Sequence, residues 1–358
     1  MNVRSRWIAR LLAGAGSTIA SLACGPAYAQ SAEECRSIEN DRERLACYDR
    51  AADRGTPAPQ PPAREEAPLP EEKPTKVGDF VGGGNNAPVG ESRLGFKWEL
   101  DEDARYGVLR FRTHKPNYFL FATYNTDPNE TPYSPSLGQG PTSDLREVEA
   151  KFQLSFKTKL AQGLLKDRID VWVAYTQQSN WQLYSPSAPF RETNYEPEVM
   201  TVLRTDWNML GLRMRFINFG FVHQSNGRGG TLSRSWNRLY AQFGFEREGF
   251  SMLVRPWYRL KDASNGGVPD NNPDITDYLG HGDLLLFYRP EGSGHSIAAL
   301  LRQNFKTGKG AVQLDWRFPL YRNLKGYLQV FSGYGETLID YNWRQNVIGI
   351  GVSLSDWM

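Results

Sequence analysis

The sequence predicts an all-β protein, a twelve-stranded antiparallel transmembrane β-barrel. Trp, Tyr and Phe make up 13% of the 358 residues, yet the mean hydropathy is −0.55. Many aromatics without long apolar runs are typical of outer-membrane barrels, although a soluble all-β protein can share this composition. The pattern adds two observations: apolar and polar residues alternate from about residue 118, and the number of alternating segments is even. A formal charge of +2 argues against nucleic acid as the main partner.

The first residues have the pattern of a secretory signal, predicted at 1–29. A basic start precedes an apolar region at 11–23, and residues 27–29 form the cleavage pattern. The apolar region is shorter than the ~18 residues that a membrane helix needs. Cys24 would suit a lipoprotein signal, but Ser21 stands where such a signal has leucine. We therefore expect cleavage after residue 29.

Residues 30–54 are charged and helical in character, and they contain Cys35 and Cys47. A straight helix would hold positions twelve apart at ~18 Å, which is beyond disulfide reach. A bridge therefore requires a helical hairpin that turns near residues 40–41. An oxidising compartment favours the bridge; the alternative is two unpaired cysteines in a disordered arm.

Residues 55–93 are rich in Pro, Glu and Gly, which predicts a linker unable to bury a core. The barrel domain is predicted at 94–358. In residues 151–157, three apolar side chains alternate with four polar ones, as a half-buried strand requires. The predicted strands are 118–125, 149–159, 168–178, 196–206, 210–225, 236–247, 250–260, 278–289, 295–303, 309–318, 325–336 and 344–357. With periplasmic termini, the fifth strand ends on the extracellular side.

The end of the fifth strand carries the groups of a serine hydrolase. His223 and Ser225 are two residues apart, so on a strand they share a face, ~7 Å apart at Cα. A serine nucleophile needs a base, and the base needs a partner on its second nitrogen. Asn237 can accept that hydrogen bond, and beside hydrocarbon an amide is cheaper to desolvate than a carboxylate. All three continue apolar outward rows, which suits a lipid substrate; the alternative is an ordinary polar rim.

The stretch at residues 221–238 also resembles a known family. His-x-Ser-Asn-Gly followed by Ser-Arg-Ser-Trp-Asn-Arg is similar to the signature of outer membrane phospholipase A. Further matching motifs lie at 189–197, 255–258, 272–276 and 331–336, so the resemblance runs from about residue 100 to the C-terminus. It implies a twelve-stranded barrel that hydrolyses phospholipid acyl esters in the Gram-negative outer membrane, with phospholipase A1, A2 and lysophospholipase activity. It also implies Ser225 as nucleophile, His223 as base and Asn237 as the residue that orients the base.

The resemblance further implies a cofactor and a partner. The backbone N–H of Gly227 would face the oxyanion, and Ca²⁺ would be held by the Ser233 hydroxyl and the Arg228 carbonyl. The Ser187 carbonyl of a second subunit in a homodimer would complete the protein ligands. Calcium takes about six to eight oxygens, so waters must fill most of the shell.

Gln177 and the other histidines leave alternatives open. Gln177 shares the outward row of its strand and is a candidate for the dimer contact, unless the strand has ended there. His114, His281 and His295 are expected at the rim or in the lumen. The rival functions are a channel or structural barrel with a degenerate site, and a soluble secreted esterase, which the outward apolar rows disfavour.

Overall fold

The computed structural model describes residues 34–52, 92–261, 270–321 and 324–355. The chain divides into two compact units, Met1–Glu72 and Lys73–Met358. The predicted signal peptide and most of the predicted linker lie outside the described residues.

In the first unit the described residues, 34–52, form a small disulfide-bonded helical hairpin. A 3₁₀ turn at Glu34–Ser37 is followed by helix α1, Asp41–Ala51. Asn40 caps α1, because its side-chain oxygen accepts a hydrogen bond of 3.0 Å from the Arg42 N–H. Cys35 and Cys47 are bonded, with their Cα atoms 5.6 Å apart. The prediction of a hairpin that turns near residue 40 is confirmed.

The second unit is a closed barrel of twelve antiparallel strands within the described residues. Each strand pairs with its neighbours in the chain, and the last closes on the first through pairs such as Ser353 with Tyr118. The strands are β1 Tyr118–Asn125, β2 Val148–Gly163, β3 Ile169–Trp181, β4 Phe190–Met209, β5 Leu212–Ser225, β6 Ser235–Arg247, β7 Phe250–Leu260, β8 Gly282–Tyr288, β9 Ser296–Asn304, β10 Lys309–Tyr321, β11 Leu324–Tyr334 and β12 Arg344–Ser353. The predicted twelve-stranded barrel is confirmed.

Short elements join or extend these strands. A strand at Phe111–Thr113 pairs with β2, and Tyr133–Ser134 pairs with Gly138–Gln139 in the loop after β1. The helices of this unit are α2 Arg93–Trp98, α3 Leu164–Asp167 and α4 Ile275–Leu279, with 3₁₀ turns at Glu102–Ala104 and Gly230–Leu232. The strand predicted at 278–289 begins only at Gly282, because helix α4 extends to Leu279.

The polarity of the barrel is reversed relative to a soluble protein. Lys151, Lys157 and Lys159 face the lumen and are 2%, 0% and 0% exposed. The intervening Leu154 faces outward and is 52% exposed, so the alternation predicted for β2 is confirmed. Apolar side chains cover the outside on other strands as well, among them Phe121, Val199, Phe219, Leu239, Ile297, Leu314, Val330 and Ile350. Within the described residues no helix is long and apolar enough to cross a membrane.

Side chains fill much of the lumen. Leu94 and Trp98 of α2 pack inside the barrel in one cluster with Trp172 and Phe216. The Lys157 ammonium lies 3.2 Å from the centre of the Trp98 ring, a cation–π contact. A cavity of about 170 Å³ lies beside this cluster, lined by Trp98 and by polar residues such as His114, Glu198 and Arg255. Within the described residues the interior is therefore filled largely by packed side chains, many of them polar.

The two ends of the barrel differ in their connections. At one end β4 and β5 are joined by Leu210 and Gly211 alone, and both residues have positive φ. At the other end long segments separate the strands, as at 126–147 and 261–281. Barrels of this kind carry short turns toward the periplasm and longer loops outside. Ser225 ends β5 at the long-loop end, as predicted.

Candidate active site

The register of β5 and β6 brings His223 and Asn237 together. They are directly opposite each other in the ladder, and Ser225 is opposite Ser235. The imidazole Nδ1 of His223 lies 2.8 Å from the side-chain oxygen of Asn237. An amide oxygen can only accept, so Nδ1–H donates and Nε2 is the nitrogen that can act as a base. The pairing expected from the sequence is present.

Ser225 lies on the same outward face as His223, and both side chains are half-buried. Within the described part of the chain no hydrogen bond joins the Ser225 hydroxyl to the imidazole. Catalytic hydrogen bonds are often long before substrate binds. On its other side Ser225 is opposite Tyr195 of β4. Ser225, the candidate nucleophile, therefore has the candidate base His223 on its own strand and the ring of Tyr195 on the neighbouring strand β4.

Gly227 follows in a conformation that favours glycine. Its φ is +65°, and a Cβ at this position would lie 3.1 Å from the Tyr195 ring. Gly227 is also exposed, so a substrate can approach its backbone closely. This geometry is compatible with the predicted oxyanion role of its N–H.

Asn226 holds the loop between β5 and β6, residues 226–234, in shape. It is 4% exposed, and its amide nitrogen donates to the Leu232 carbonyl at 2.8 Å. Its side-chain oxygen accepts from the N–H groups of Arg228 at 3.3 Å and Arg234 at 3.0 Å. A further backbone bond of 3.0 Å joins the Asn226 N–H to the Arg234 carbonyl. One buried amide thus fixes both ends of the loop.

The predicted calcium ligands are divided between two loops. Arg228 and Ser233 lie in the loop 226–234, where the Ser233 hydroxyl accepts a hydrogen bond of 2.8 Å from the Asn271 amide. The Arg228 guanidinium donates a hydrogen bond to the Arg191 carbonyl and pairs with Glu192, so contacts with β4 hold this side chain in place. Ser187 lies in the turn between β3 and β4, exposed and with φ +62°. No group of three or more His, Cys, Asp or Glu that could hold a metal occurs among the described residues.

The buried side chain of Arg234 also stabilises the loop 226–234. Its side chain is fully buried, and one terminal nitrogen donates to the carbonyls of Thr231 at 2.9 Å and Ser233 at 2.8 Å. Burial lowers the pKa of the Arg234 guanidinium from its usual value. Asn226, Arg234 and Asn271 were not assigned roles from the sequence, although the first two lie inside the matching motif.

The remaining sequence candidates lie away from this group. Gln177 faces outward, accepts from the Tyr175 hydroxyl at 3.1 Å and donates to Ser179 at 3.3 Å. Strand β3 continues to Trp181, so the alternative that the strand ends at Gln177 is wrong.

The other histidines lie where rim or lumen residues were expected. His114 is inside the barrel, where its Nε2 is 3.2 Å from Glu198. His295 stacks on Trp316 just before β9, and His281 directly precedes β8.

The fold and the outward-facing group define a class: a membrane β-barrel with the side chains of a serine hydrolase on its outer surface. Comparison with known proteins identifies the family. A model of the phospholipase A1 family matches residues 94–354. The chain belongs to the phospholipase A1 family, as the resemblance at residues 221–238 implied.

Three relatives show the extent of the similarity. A putative phospholipase A1 of Neisseria meningitidis serogroup B is 39% identical in an alignment 355 residues long that covers 92% of this chain and 92% of the relative. The calcium-bound dimer of Salmonella typhi outer membrane phospholipase is 34% identical with a TM-score of 0.64, covering 75% of this chain and 100% of that one. An Escherichia coli outer membrane phospholipase A, an active-site mutant with alanine in place of asparagine, is 35% identical with a TM-score of 0.62, covering 71% and 95%.

Proposed function

We propose that this protein hydrolyses the acyl ester bonds of glycerophospholipids in the Gram-negative outer membrane, in a reaction that requires calcium. The observation that carries the proposal is the 2.8 Å contact between His223 and Asn237 beside Ser225. It lies on the outward face of a barrel from the phospholipase A1 family. A hydrolase site on this face meets lipid directly, so phospholipase A1, A2 and lysophospholipase activities all suit it.

The reaction proceeds through an acyl-enzyme. The Ser225 oxygen attacks the ester carbonyl carbon while its proton passes to Nε2 of His223. The backbone N–H of Gly227 donates to the oxyanion of the tetrahedral intermediate. The carbon–oxygen ester bond then breaks, and the proton on His223 passes to the departing alcohol of the lysolipid. Water, deprotonated by His223, attacks the acyl-enzyme, releases the fatty acid and restores the serine.

Asn237 orients the base without adding charge. It holds the Nδ1–H of His223, which fixes the tautomer and points Nε2 away from the amide. In the Escherichia coli relative, a change of asparagine to alanine is an active-site mutation, which supports an asparagine in this role.

Calcium would be held by the Ser233 hydroxyl, the Arg228 carbonyl and the Ser187 carbonyl of a second copy. The donors suit the ion, because hydroxyl and carbonyl oxygens are ligands that calcium accepts. Ser187 is exposed on its turn, as a ligand offered to another subunit must be. The calcium-bound dimer of the Salmonella typhi relative supports both the ion and the homodimer. When bound, calcium would supply positive charge that favours the negatively charged intermediate.

The polarity of the barrel supports the proposed location. The long-loop end, with Ser225, would face the outer leaflet, and the segment at 30–54 would lie in the periplasm. A soluble esterase does not suit the apolar outer surface. A channel does not suit a lumen in which the side chains of Trp98, Lys157 and Trp172 are packed together.

The test is fatty-acid release from mixed phospholipid–detergent micelles, with calcium and with a chelator. We expect release only with calcium, and covalent labelling of Ser225 by a sulfonyl reagent. Ser225→Ala should fold as a barrel and release no fatty acid. As a matched control, Ser332→Ala removes a hydroxyl on β11 that bonds Asn346 at 2.7 Å and should remain active. Activity retained by Ser225→Ala would refute the assignment.

A further inference from the structure

We propose that Ser235, the first residue of β6, is a further catalytic residue: its hydroxyl donates a hydrogen bond to the oxyanion of the tetrahedral intermediate. The inference deepens the proposed function and rests on it, because this oxyanion forms when Ser225 attacks the ester. It adds a second donor to the backbone N–H of Gly227. Unlike a backbone N–H, this donor is a side chain that a substitution can remove.

The position of Ser235 in the strand ladder carries the inference. Ser235 is directly opposite Ser225. The next pair along is a hydrogen-bonded one, because the Asn226 N–H donates to the Arg234 carbonyl at 3.0 Å. The two kinds of pair alternate along an antiparallel ladder, so Ser225 and Ser235 form a non-hydrogen-bonded pair. In such pairs the side chains are closest, with Cβ atoms about 4.5–5.5 Å apart.

The neighbouring pair of the same kind shows that side chains meet across these two strands. His223 and Asn237 lie two residues further along each strand, on the same outward face, and are also directly opposite each other. Their side chains are in contact at 2.8 Å. Ser235 therefore has the same relation to the nucleophile Ser225 as Asn237 has to the base. The oxyanion forms on the carbon bonded to the Ser225 oxygen, within reach of the Ser235 hydroxyl.

The Ser235 hydroxyl has a hydrogen to donate, and its backbone is fixed. The Asn271 amide nitrogen lies 3.4 Å from the Ser235 oxygen and can only donate, so the hydroxyl hydrogen is directed elsewhere. The Ser235 N–H donates to the side-chain oxygen of Asn272 at 3.0 Å, and Asn272 is fully buried. The donor is therefore held in position before the substrate binds, as stabilisation of an oxyanion requires.

Other donors near Ser225 are already engaged among the described residues of this loop. The Asn226 N–H donates to the Arg234 carbonyl, and the Arg228 N–H donates to the Asn226 side-chain oxygen at 3.3 Å. The Arg234 N–H donates to the same oxygen at 3.0 Å. An oxyanion has lone pairs for more than one hydrogen bond. These contacts leave the Gly227 N–H and the Ser235 hydroxyl as the donors for it.

Three substitutions at Ser235 separate the hydroxyl from the shape of the side chain. Ser235→Ala should lower turnover by about 10²- to 10³-fold, the usual effect of losing one oxyanion donor. Ser235→Cys keeps the shape but offers only a weak donor, so turnover should fall as well. Ser235→Thr keeps the hydroxyl and suits a strand, so it should retain most of the turnover. Calcium affinity should be unchanged in all three.

The experiment compares a phospholipid ester with its thionoester, in which sulfur replaces the carbonyl oxygen. Lysophospholipid release from mixed micelles is measured for the full-length protein at saturating calcium. Sulfur is a weak acceptor, so losing a donor should slow the oxygen ester more than the thionoester. We expect the ratio of the two rates to fall in Ser235→Ala and Ser235→Cys, and to stay at the wild-type value in Ser235→Thr.

Ser332→Ala is the matched control, because it removes a serine hydroxyl on β11 that bonds Asn346 at 2.7 Å. The control should keep both the turnover and the rate ratio of the wild type. Equal slowing of both substrates in Ser235→Ala would overturn the inference and leave the proposed function intact, because it indicates a structural role alone. Wild-type turnover in Ser235→Ala would also overturn it. Sulfonyl labelling of Ser235, with Ser225→Ala still active, would overturn the assigned nucleophile and the inference together.

Discussion

Asn237 stands where many serine hydrolases have a carboxylate. The strand register places it opposite His223, at a rim whose neighbouring side chains, such as Leu239, are apolar and exposed. A carboxylate there would have to be desolvated, and a charged residue near hydrocarbon is costly. In its proposed role the Asn237 amide would hold the His223 ring in position, as a carboxylate does, but would add no negative charge beside it.

Asn237→Ala is expected to lower turnover without abolishing it. Loss of a triad aspartate costs about 10⁴-fold in turnover, and the loss here should be smaller because no charge is removed. Fatty-acid release at saturating calcium and substrate measures it, with Asn346→Ala, on a distant strand, as the control. Wild-type turnover in Asn237→Ala would remove this residue from the mechanism.

Strand parity and the motif predicted the positions of the candidate residues on strands, and the resemblance named candidates in loops, but the contacts within those loops could not be predicted. His223, Ser225 and Asn237 follow from strand parity and the motif. Asn226 and Asn271 act through partners whose positions depend on how loops fold over the rim. No periodicity links Asn271 to Ser233, 38 residues apart, so their contact could not be predicted.

The loop between β5 and β6 contains both the proposed oxyanion donor and two of the proposed calcium ligands. It carries Gly227 at one end and Ser233 at the other, and Asn226 bonds across it to three residues. A change in the shape of this loop would therefore displace the proposed oxyanion donor and the proposed calcium ligands together.

Asn226→Ala should reduce both turnover and calcium affinity. It leaves buried N–H groups without partners, which costs about 1–3 kcal/mol for each unsatisfied group. Asn226→Asp keeps an accepting oxygen but places a second carboxylate oxygen against the Leu232 carbonyl and beside Glu192, so we expect it to reduce turnover and calcium affinity as well. Fatty-acid release across a calcium series measures both quantities. If Asn226→Ala changed neither, the loop would not depend on this residue.

Strand β4 shows why strand ends were harder to predict than strand number. It begins at Phe190, whereas the sequence predicted a start at 196. In its first residues the strand has a bulge at Arg191, whose side chain pairs with Glu149 and Asp340, and the outward Thr193 is polar, so the apolar row is interrupted. Near the rim outward side chains need not be apolar, and the alternation fades although the backbone pairing continues.

At the scale of the whole molecule, the N-terminal unit and the barrel are separate compact units. We predict that deleting residues 30–90, with the signal kept, preserves calcium-dependent lipolysis, because every proposed site residue lies in the second unit. The measurement is fatty-acid release by the truncated and full-length proteins at matched concentration. Loss of activity in a correctly folded truncated barrel would contradict the prediction.

Calcium binding and dimer formation are expected to be one linked equilibrium. The proposed site takes Ser233 and Arg228 from one copy and Ser187 from the other, so the ion must favour the dimer by mass action. Sedimentation in detergent across a calcium series should show dimers increasing with calcium. Ser233→Ala should require more calcium, and His223→Ala should dimerise normally. A dimer fraction indifferent to calcium, with activity still calcium-dependent, would show that the metal does not bridge the subunits.

The lysines inside β2 also bear on how the barrel assembles. A register slip of one residue would move Lys151, Lys157 and Lys159 out into lipid and carry Leu154 inward. Exposing a lysine at the bilayer midplane costs about 2–4 kcal/mol, and less near the interfaces. A barrel in which β2 is shifted would therefore be destabilised by each of the three exposed lysines. The lysines in the lumen therefore favour the native alignment of β2 over shifted alignments when the barrel inserts into the membrane.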